Sequence, residues 1–241
     1  MEIQTTSEIT VELHSSMGSD ESVIQAARVS TAGDECLESE PGEHAGLINY
    51  LMKHRHGTPF EHNAMTFYVK APIFVWREWH RHRVGWSYNE ESARYKVLDP
   101  LFYLPEEIRP MFKVDGWKPG RPKFTTIDSQ EELEKFYAVR ANLHSIYHSA
   151  YKAYTSNLSL GVDPGLARDC LPVGIYSSCW VTCNARSLMS FLSLRTHDPE
   201  ANSVSYPLYE IERAARKLET IFSELFPITH EAWDRNGRTA P

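Results

Sequence analysis

The chain predicts an α+β fold, a central and mainly antiparallel sheet flanked by helices, on three observations. Apolar residues recur at helical spacing in several segments, two of which are long enough for long helices. The segment NAMTFYVK (63–70) alternates instead, with Met65, Phe67 and Val69 on one side, as a half-buried strand does. Helical and extended segments also do not follow one another in the regular order of a parallel βαβ sheet. At 241 residues with 41% hydrophobic content, one domain with a sizeable core is the expectation for 1–241.

The elements follow in order. Asp20 is placed to cap a helix over about 21–30, where Val23, Ala26 and Ala27 share a face. A second helix is predicted over about 44–55 from the stripe Leu47, Ile48, Leu51 and Met52. After the strand, Pro72 suits the first turn of a helix, IFVWREWHRHR, expected to end near Gly85. The stretch 113–128 is rich in Gly, Pro and Lys and reads as a surface loop. Ser129 and Glu132 form a capping box for a long helix over about 130–158, with Leu133, Phe136, Leu143 and Ile146 facing inward. Asp163-Pro164 opens a short helix that stops before Pro172, and 173–183 looks extended. Asn184 caps a helix to about Thr196, and a last long helix follows Pro207 with Leu208, Ile211, Ala215, Leu218 and Phe222.

No apolar run reaches the roughly 20 residues of a membrane helix, and MEIQTTSEIT has neither the basic flank nor the apolar stretch of a signal peptide, so a cytoplasmic protein is expected. Cys36, Cys170, Cys179 and Cys183 form no CxxC pair, and reduced thiols are expected. Net charge is −7 and the pI about 5.9, which argues against a protein that holds long nucleic acid by its phosphates. Yet Arg77, Arg81, Arg83 and Arg94 fall within 18 residues, and Arg168, Arg186 and Arg195 follow in apolar surroundings. An acidic chain that clusters arginine is suited to small anions held in a pocket.

The densest polar segment is WREWHRHRVGWSYNEESARY, 76–95. Were it helical to residue 83, Glu78, Arg81 and His82 would share one face, and Trp79 would pair with Arg83 on another. Beyond Gly85, the groups of Ser87, Asn89, Glu90, Glu91, Ser92 and Arg94 are spaced to meet a phosphate or a base edge. The plainer alternative is a solvated, salt-bridged helix end. Two further readings stand beside these. A metal-dependent nucleotide hydrolase would use His54, His56, His62, His80 and His82, but no HExxH spacing occurs, and no metal site is expected. A nucleotide- or RNA-binding module would stack bases on Trp76, Trp79, Trp86 and Tyr88.

RHR followed by a serine and Arg-Tyr resembles the signature of flavin-dependent thymidylate synthases. AARVS (26–30), HGTPFEH (56–62), VKAPIFV (69–75), SYNEES-ARY, AR-DCLP (167–172) and NARSLMSFLSLR (184–195) are similar to blocks of the same family, in the same order. The resemblance implies that Arg81, His82 and Arg83 hold FAD, together with Ser30, His56, Thr58, Glu61 and Glu90, and with Asn184, Arg186 and Ser190 on the other side of the flavin. It implies a dUMP site made by Glu78, Arg81, Glu90, Glu91, Ser92, Arg94 and Arg168, and a catalytic Arg195 that contacts the uracil. It also implies a homotetramer with shared active sites, 5,10-methylenetetrahydrofolate as carbon donor and NADPH as reductant of the flavin.

Two independent features agree. Asn184 and Arg195 are eleven residues apart, about three helical turns or roughly 16 Å, which returns both to nearly one face. No cysteine has a flanking base or cation that would make it a nucleophile, and a hydride from flavin needs none. The chain departs from the family in three places. Eight residues separate Arg83 from Ser92 where seven are usual, Glu78 stands where glutamine is common, and the segment after Arg195 is long, with His197 the one candidate for a family histidine near FAD.

Overall fold

The computed structural model describes residues 2–33 and 44–241; Cys36 lies outside them. In chain order the elements are β1 (Gln4–Thr6), β2 (Thr10–Met17), α1 (Asp20–Ala32), α2 (His44–Lys53), β3 (Ala64–Pro72), α3 (Ile73–Trp79), β4 (Trp86–Glu90), β5 (Leu101–Tyr103), β6 (Phe112–Lys113), β7 (Phe124–Thr125), α4 (Gln130–Ser159), α5 (Pro164–Ala167), β8 (Tyr176–Cys183), α6 (Ala185–Arg195), α7 (Tyr209–Leu225) and α8 (Pro227–Arg235). A four-stranded antiparallel sheet has the order β2-β3-β8-β4, so the fold is α+β as expected. The two long helices are α4 and α7, of 30 and 17 residues. None of the described helices is long and apolar enough to cross a membrane. By internal contacts the chain forms two compact units. Unit 1 is Met1–Thr10, Lys70–His80 and Glu90–Cys179; unit 2 is Val11–Val69, Arg81–Asn89 and Trp180–Pro241.

Unit 1 is organised by aromatic residues of α4. Tyr147, Tyr151 and Tyr154 recur at helical spacing and are buried with Phe102, Ala93, Leu98 and Ile175. The expected stripe is thereby corrected, since Phe136 is buried but Ile146 is 56% exposed and Tyr147 takes the inward position. Burial of a tyrosine requires a partner for its hydroxyl. Tyr151 Oη donates to the Leu98 carbonyl at 2.9 Å, and Tyr154 Oη accepts the Leu98 N–H at 3.3 Å, which fixes the chain that follows β4. β1 pairs in parallel with β5, Gln4 opposite Leu101 and Thr6 opposite Tyr103. The Ser129 hydroxyl accepts the Glu132 N–H as a cap should, but the Glu132 carboxylate accepts from Asp128 instead of Ser129. Within 113–128, Phe124–Thr125 returns to pair with Phe112–Lys113.

α3 stops at Trp79, not near Gly85, so the expected shared faces of Glu78, Arg81 and His82 and of Trp79 and Arg83 do not form. Inside unit 1, Trp76 is drawn in by two bonds from its indole N–H to the carbonyls of Ala71 (3.1 Å) and Ser177 (3.2 Å). Trp76 and Trp79 are both buried core residues with ring centroids 5.2 Å apart.

Unit 2 is mainly helical. Along α7, Ile211, Ala214, Ala215, Leu218 and Phe222 are fully buried; each large side chain contributes about 1.5–3 kcal/mol by leaving water. Sequence periodicity did not reveal α8. It begins where Asp20 accepts the N–H groups of Ile228 (2.8 Å) and Thr229 (2.9 Å) and the Thr229 hydroxyl (2.6 Å). Asp20 therefore serves α8, and the cap of α1 is Ser19. α2 ends at Lys53, before the expected 55, because Arg55 turns left-handed (φ 61°). The N–H groups of Arg55 and His56 then reach the carbonyls of Met52 and Leu51 at 3.3 and 2.9 Å, the hydrogen-bond pattern that ordinarily selects glycine at this position. Arg55 compensates by donating from Nη1 to the Ala240 carbonyl at 2.7 Å.

Candidate functional site

In unit 2 the predicted residues collect around the N-terminal half of α6. Asn184 caps this helix, its Oδ1 accepting the Ser187 N–H at 2.8 Å, and Asn63 Oδ1 accepts the Ala185 N–H at 2.7 Å. Arg186, in the first turn, meets the HGTPFEH loop: Nη1 donates to Glu61 Oε1 at 2.5 Å and Nε to the Pro241 carbonyl at 2.7 Å. A Cβ added at Gly57 would stand 2.4 Å from Arg186 Cζ, so a side chain at 57 would push the guanidinium from this position. His56 and Thr58 are exposed on the same loop, and the rings of Tyr50 and His56 meet edge-to-face with centroids 5.8 Å apart.

Arg81, His82 and Arg83 lie in the turns that lead into β4. Gly85 has φ 68°, and a Cβ there would be 2.1 Å from Ser187 Oγ, which itself donates to the Val84 carbonyl at 2.9 Å. Arg81 and Arg83 are exposed while His82 is half-buried. Its carbonyl accepts from Tyr88 Oη at 2.6 Å, its ring meets Phe191 edge-on at 4.8 Å, and its Nε2 accepts Nε–H of Arg195 at 3.0 Å. Burial first, and the Arg195 charge second, push the His82 pKa down to about 4, so the ring is neutral at pH 7. Ser190 is exposed on α6, and the Ser30 hydroxyl donates to the Ala27 carbonyl within α1.

Unit 1 holds a cavity of about 310 Å³ whose walls include Glu90, Glu91, Arg168, Asp169, Ser177, Ile73, Ala93, Leu98 and Leu171. Two of its carboxylates, Glu90 and Glu91, are anchored. Ser177 Oγ donates to Glu90 at 2.5 Å; Glu91 accepts the Ser178 N–H at 2.8 Å and pairs with Lys96 at 3.0 Å. Arg168 is exposed. The Ser92 hydroxyl accepts the Arg94 N–H at 3.3 Å in the turn beside the cavity, and the Arg94 side chain passes Gly165. Glu78, half-buried in α3, is not among the lining residues.

Glu90, Glu91 and Arg168 thus meet in unit 1, and His82, Arg195, Arg186, Glu61 and Asn184 are grouped in unit 2. Arg94 and Arg168 belong to one unit, Arg81 and Arg195 to the other. His197 is tied to its own segment, with Nδ1 2.8 Å from the Ser205 carbonyl and its N–H on Glu212 at 2.9 Å. Sequence reasoning passed over Asp169, Gly57, Asn63 and Ser177. The first two sit inside motifs already singled out, whereas nothing in YSSCW marks Ser177. Among the described residues no three His, Cys, Asp or Glu side chains are grouped to hold a metal ion. Among the described residues Cys170, Cys179 and Cys183 form no disulfide, and burial raises the Cys183 thiol pKa far above its usual range, against a role as nucleophile.

The fold and these clusters define a class first: an α+β protein with arginine-bearing sites suited to phosphorylated ligands. The family model described as thymidylate synthase complementing protein matches residues 12–228. A flavin-dependent thymidylate synthase of Streptomyces coelicolor is 50% identical over 242 residues, covering 99% of this chain and 96% of that one. Another from Tropheryma whipplei is 45% identical over 240 residues, 98% of this chain and 94% of its own. The crystal structure of PolB, a UMP/dUMP methylase from Streptomyces cacaoi bound with 5-Br dUMP, superposes with a TM-score of 0.91 at 46% identity, over 99% of this chain and all (100%) of that one. The chain belongs to the flavin-dependent thymidylate synthase family.

Proposed function

We propose that this chain catalyses the reductive methylation of dUMP to dTMP, with 5,10-methylenetetrahydrofolate as carbon donor, FAD as flavin and NADPH as its reductant. The observation that carries this reading is the unit 1 cavity, where anchored carboxylates (Glu90, Glu91) and a guanidinium (Arg168) line one space of about 310 Å³. Carboxylates accept from a base edge, and guanidinium groups grip a phosphate in a planar, bidentate way. Ser92 and Arg94 join Arg168 at the phosphate, and Glu78 and Arg81 are assigned to the nucleotide by the family resemblance alone.

The residues of unit 2 fit a flavin dinucleotide by their chemistry. A capped helix N-terminus with Arg186 in its first turn, its guanidinium packed over Gly57, and the exposed guanidinium groups of Arg81 and Arg83 suit a pyrophosphate. Ser30, His56, Thr58, Glu61, Asn184 and Ser190 complete that set. FAD, when bound, supplies the hydride that completes the methyl group. The chain's own residues position and polarise: Arg195 stabilises negative charge that develops on the pyrimidine, and the apolar walls exclude water. We read the chain as one domain of a cytoplasmic homotetramer.

The test is formation of dTMP by purified protein given dUMP, FAD, NADPH and methylenetetrahydrofolate. A flavin-free preparation with no dUMP-dependent product would reject the reading. UMP should be assayed beside dUMP, because PolB, similar along its whole length, is a UMP/dUMP methylase.

A further inference from the structure

His82 sits where α6 presents two side chains one turn apart. Its ring lies edge-on to Phe191 at 4.8 Å, and its Nε2 faces Nε of Arg195 at 3.0 Å. The main chain at this point is held by Tyr88 Oη on the His82 carbonyl (2.6 Å). Tyr88 stacks on Trp86 at 6.0 Å and Trp86 packs on Phe191 at 5.3 Å, so one aromatic group braces both the histidine and the helix that carries the arginine. An arginine Nε–H can only donate, so the imidazole nitrogen facing it must be the unprotonated one.

We propose that His82 is a positioning residue for the reaction, acting through Arg195: the neutral imidazole accepts Nε–H, fixes the plane of the guanidinium, and so sets the direction in which its Nη donors meet the pyrimidine. This rests on the functional reading above, in which Arg195 contacts the uracil, and it gives His82 a task other than gripping the flavin. A guanidinium on four rotatable bonds samples many orientations, and holding it before substrate arrives removes that entropic cost from the reaction. Neutrality is part of the device. A protonated ring would lose the acceptor and set like charges side by side, and burial together with Arg195 opposes protonation there.

The test uses full-length, FAD-loaded protein with His82→Ala, His82→Gln, Arg195→Ala and the His82→Ala/Arg195→Ala pair. His82→Ala should lower kcat/KM for dUMP and dUMP affinity by calorimetry about tenfold, the scale of one hydrogen bond to a charged group, with FAD content unchanged. His82→Gln, whose carboxamide oxygen also accepts, should recover most of the loss. The double variant should be no worse than Arg195→Ala alone, since the histidine acts only through the arginine. Additive losses, failure of rescue by Gln, or loss of FAD on His82→Ala would each overturn the proposal. Nitrogen-15 NMR of the imidazole is independent of turnover. His82 should stay neutral, with Nε2 unprotonated, as pH falls below 6.5, and titration at that ordinary value would overturn it. If the unsubstituted protein makes no dTMP, the functional reading fails by itself, while the tautomer and the dUMP affinities still decide the pairing.

Discussion

The two polar clusters are built on opposite plans. In unit 2 it is cations that are held: Arg186 by Glu61 and the Pro241 carbonyl, Arg195 by the neutral ring of His82. In unit 1 the anions are held, Glu90 by Ser177 and Glu91 by Ser178 and Lys96, while Arg94 and Arg168 are exposed. Groups anchored before the ligand arrives fix geometry, and groups left in water supply charge and on-rate. Unit 2 should therefore be sensitive to small steric changes, and unit 1 to changes of charge.

The largest effect should come from Arg168→Ala, which removes the cation from a cavity lined by Glu90, Glu91 and Asp169. A hydrogen bond between charged groups contributes about 1.5–3 kcal/mol, so kcat/KM for dUMP should fall about tenfold to a hundredfold while FAD stays bound. Steady-state kinetics with flavin absorbance checks this, and an unchanged KM would remove Arg168 from the nucleotide site. Next, Gly57→Ala tests the steric plan of unit 2. The added methyl must displace the Arg186 guanidinium, so FAD occupancy should fall about tenfold, the scale of one displaced charge-assisted bond, with little change in Tm. Full flavin content in that variant would show that the contact is dispensable.

A third test is stability against pH. The His82 pKa is about 4 in the fold and 6.5 ordinarily, so between those values the unfolded chain binds a proton that the folded chain does not. Stability therefore drops as pH falls from 6.5 towards 4. Burial pushes Glu219 up, but bonds from His230 and Arg238 and the charges of Arg238 and Arg216 outweigh it and hold its pKa at about 2, against 4.5. Its contribution is complete above 4.5 and is lost as pH falls towards 2. Urea midpoints measured from pH 7 to 3 should decline throughout, and His82→Gln should flatten the upper part of the curve. Ser177→Ala in unit 1 should be milder, costing about 1 kcal/mol in orienting Glu90, read as a fewfold rise in KM for dUMP. Cys170→Ser, beside the lining residue Asp169, should leave turnover unchanged; its loss in a folded protein would revive a covalent mechanism.

Legibility in the sequence followed the range of the forces. The start of α4 at Gln130 and of α6 at Ala185 were readable because their caps, Ser129 and Asn184, act on N–H groups three residues away. The end of α3 was not, since composition offers no breaker before Gly85, and the connection is settled by Tyr88 on the His82 carbonyl and Ser187 on that of Val84, the latter 103 residues along the chain. β2 escaped because most of its side chains are exposed and leave no alternation to read.

Asp20 shows the same division in one residue. Its position suggested a cap, and it is one, but for a helix that begins 207 residues later. By itself the sequence determined most of the helical segments, though not α8 or the end of α3, together with the period-two strand and the motifs that carry the family resemblance, because propensity, capping and periodicity are written within a few residues. Only the tertiary structure decided that His82 meets Arg195, that Ser177 meets Glu90 and that the Arg186 guanidinium packs over Gly57, because such contacts join residues over 80 to 130 positions apart. Their free energy comes from burying and pairing polar groups, which local chemistry cannot specify.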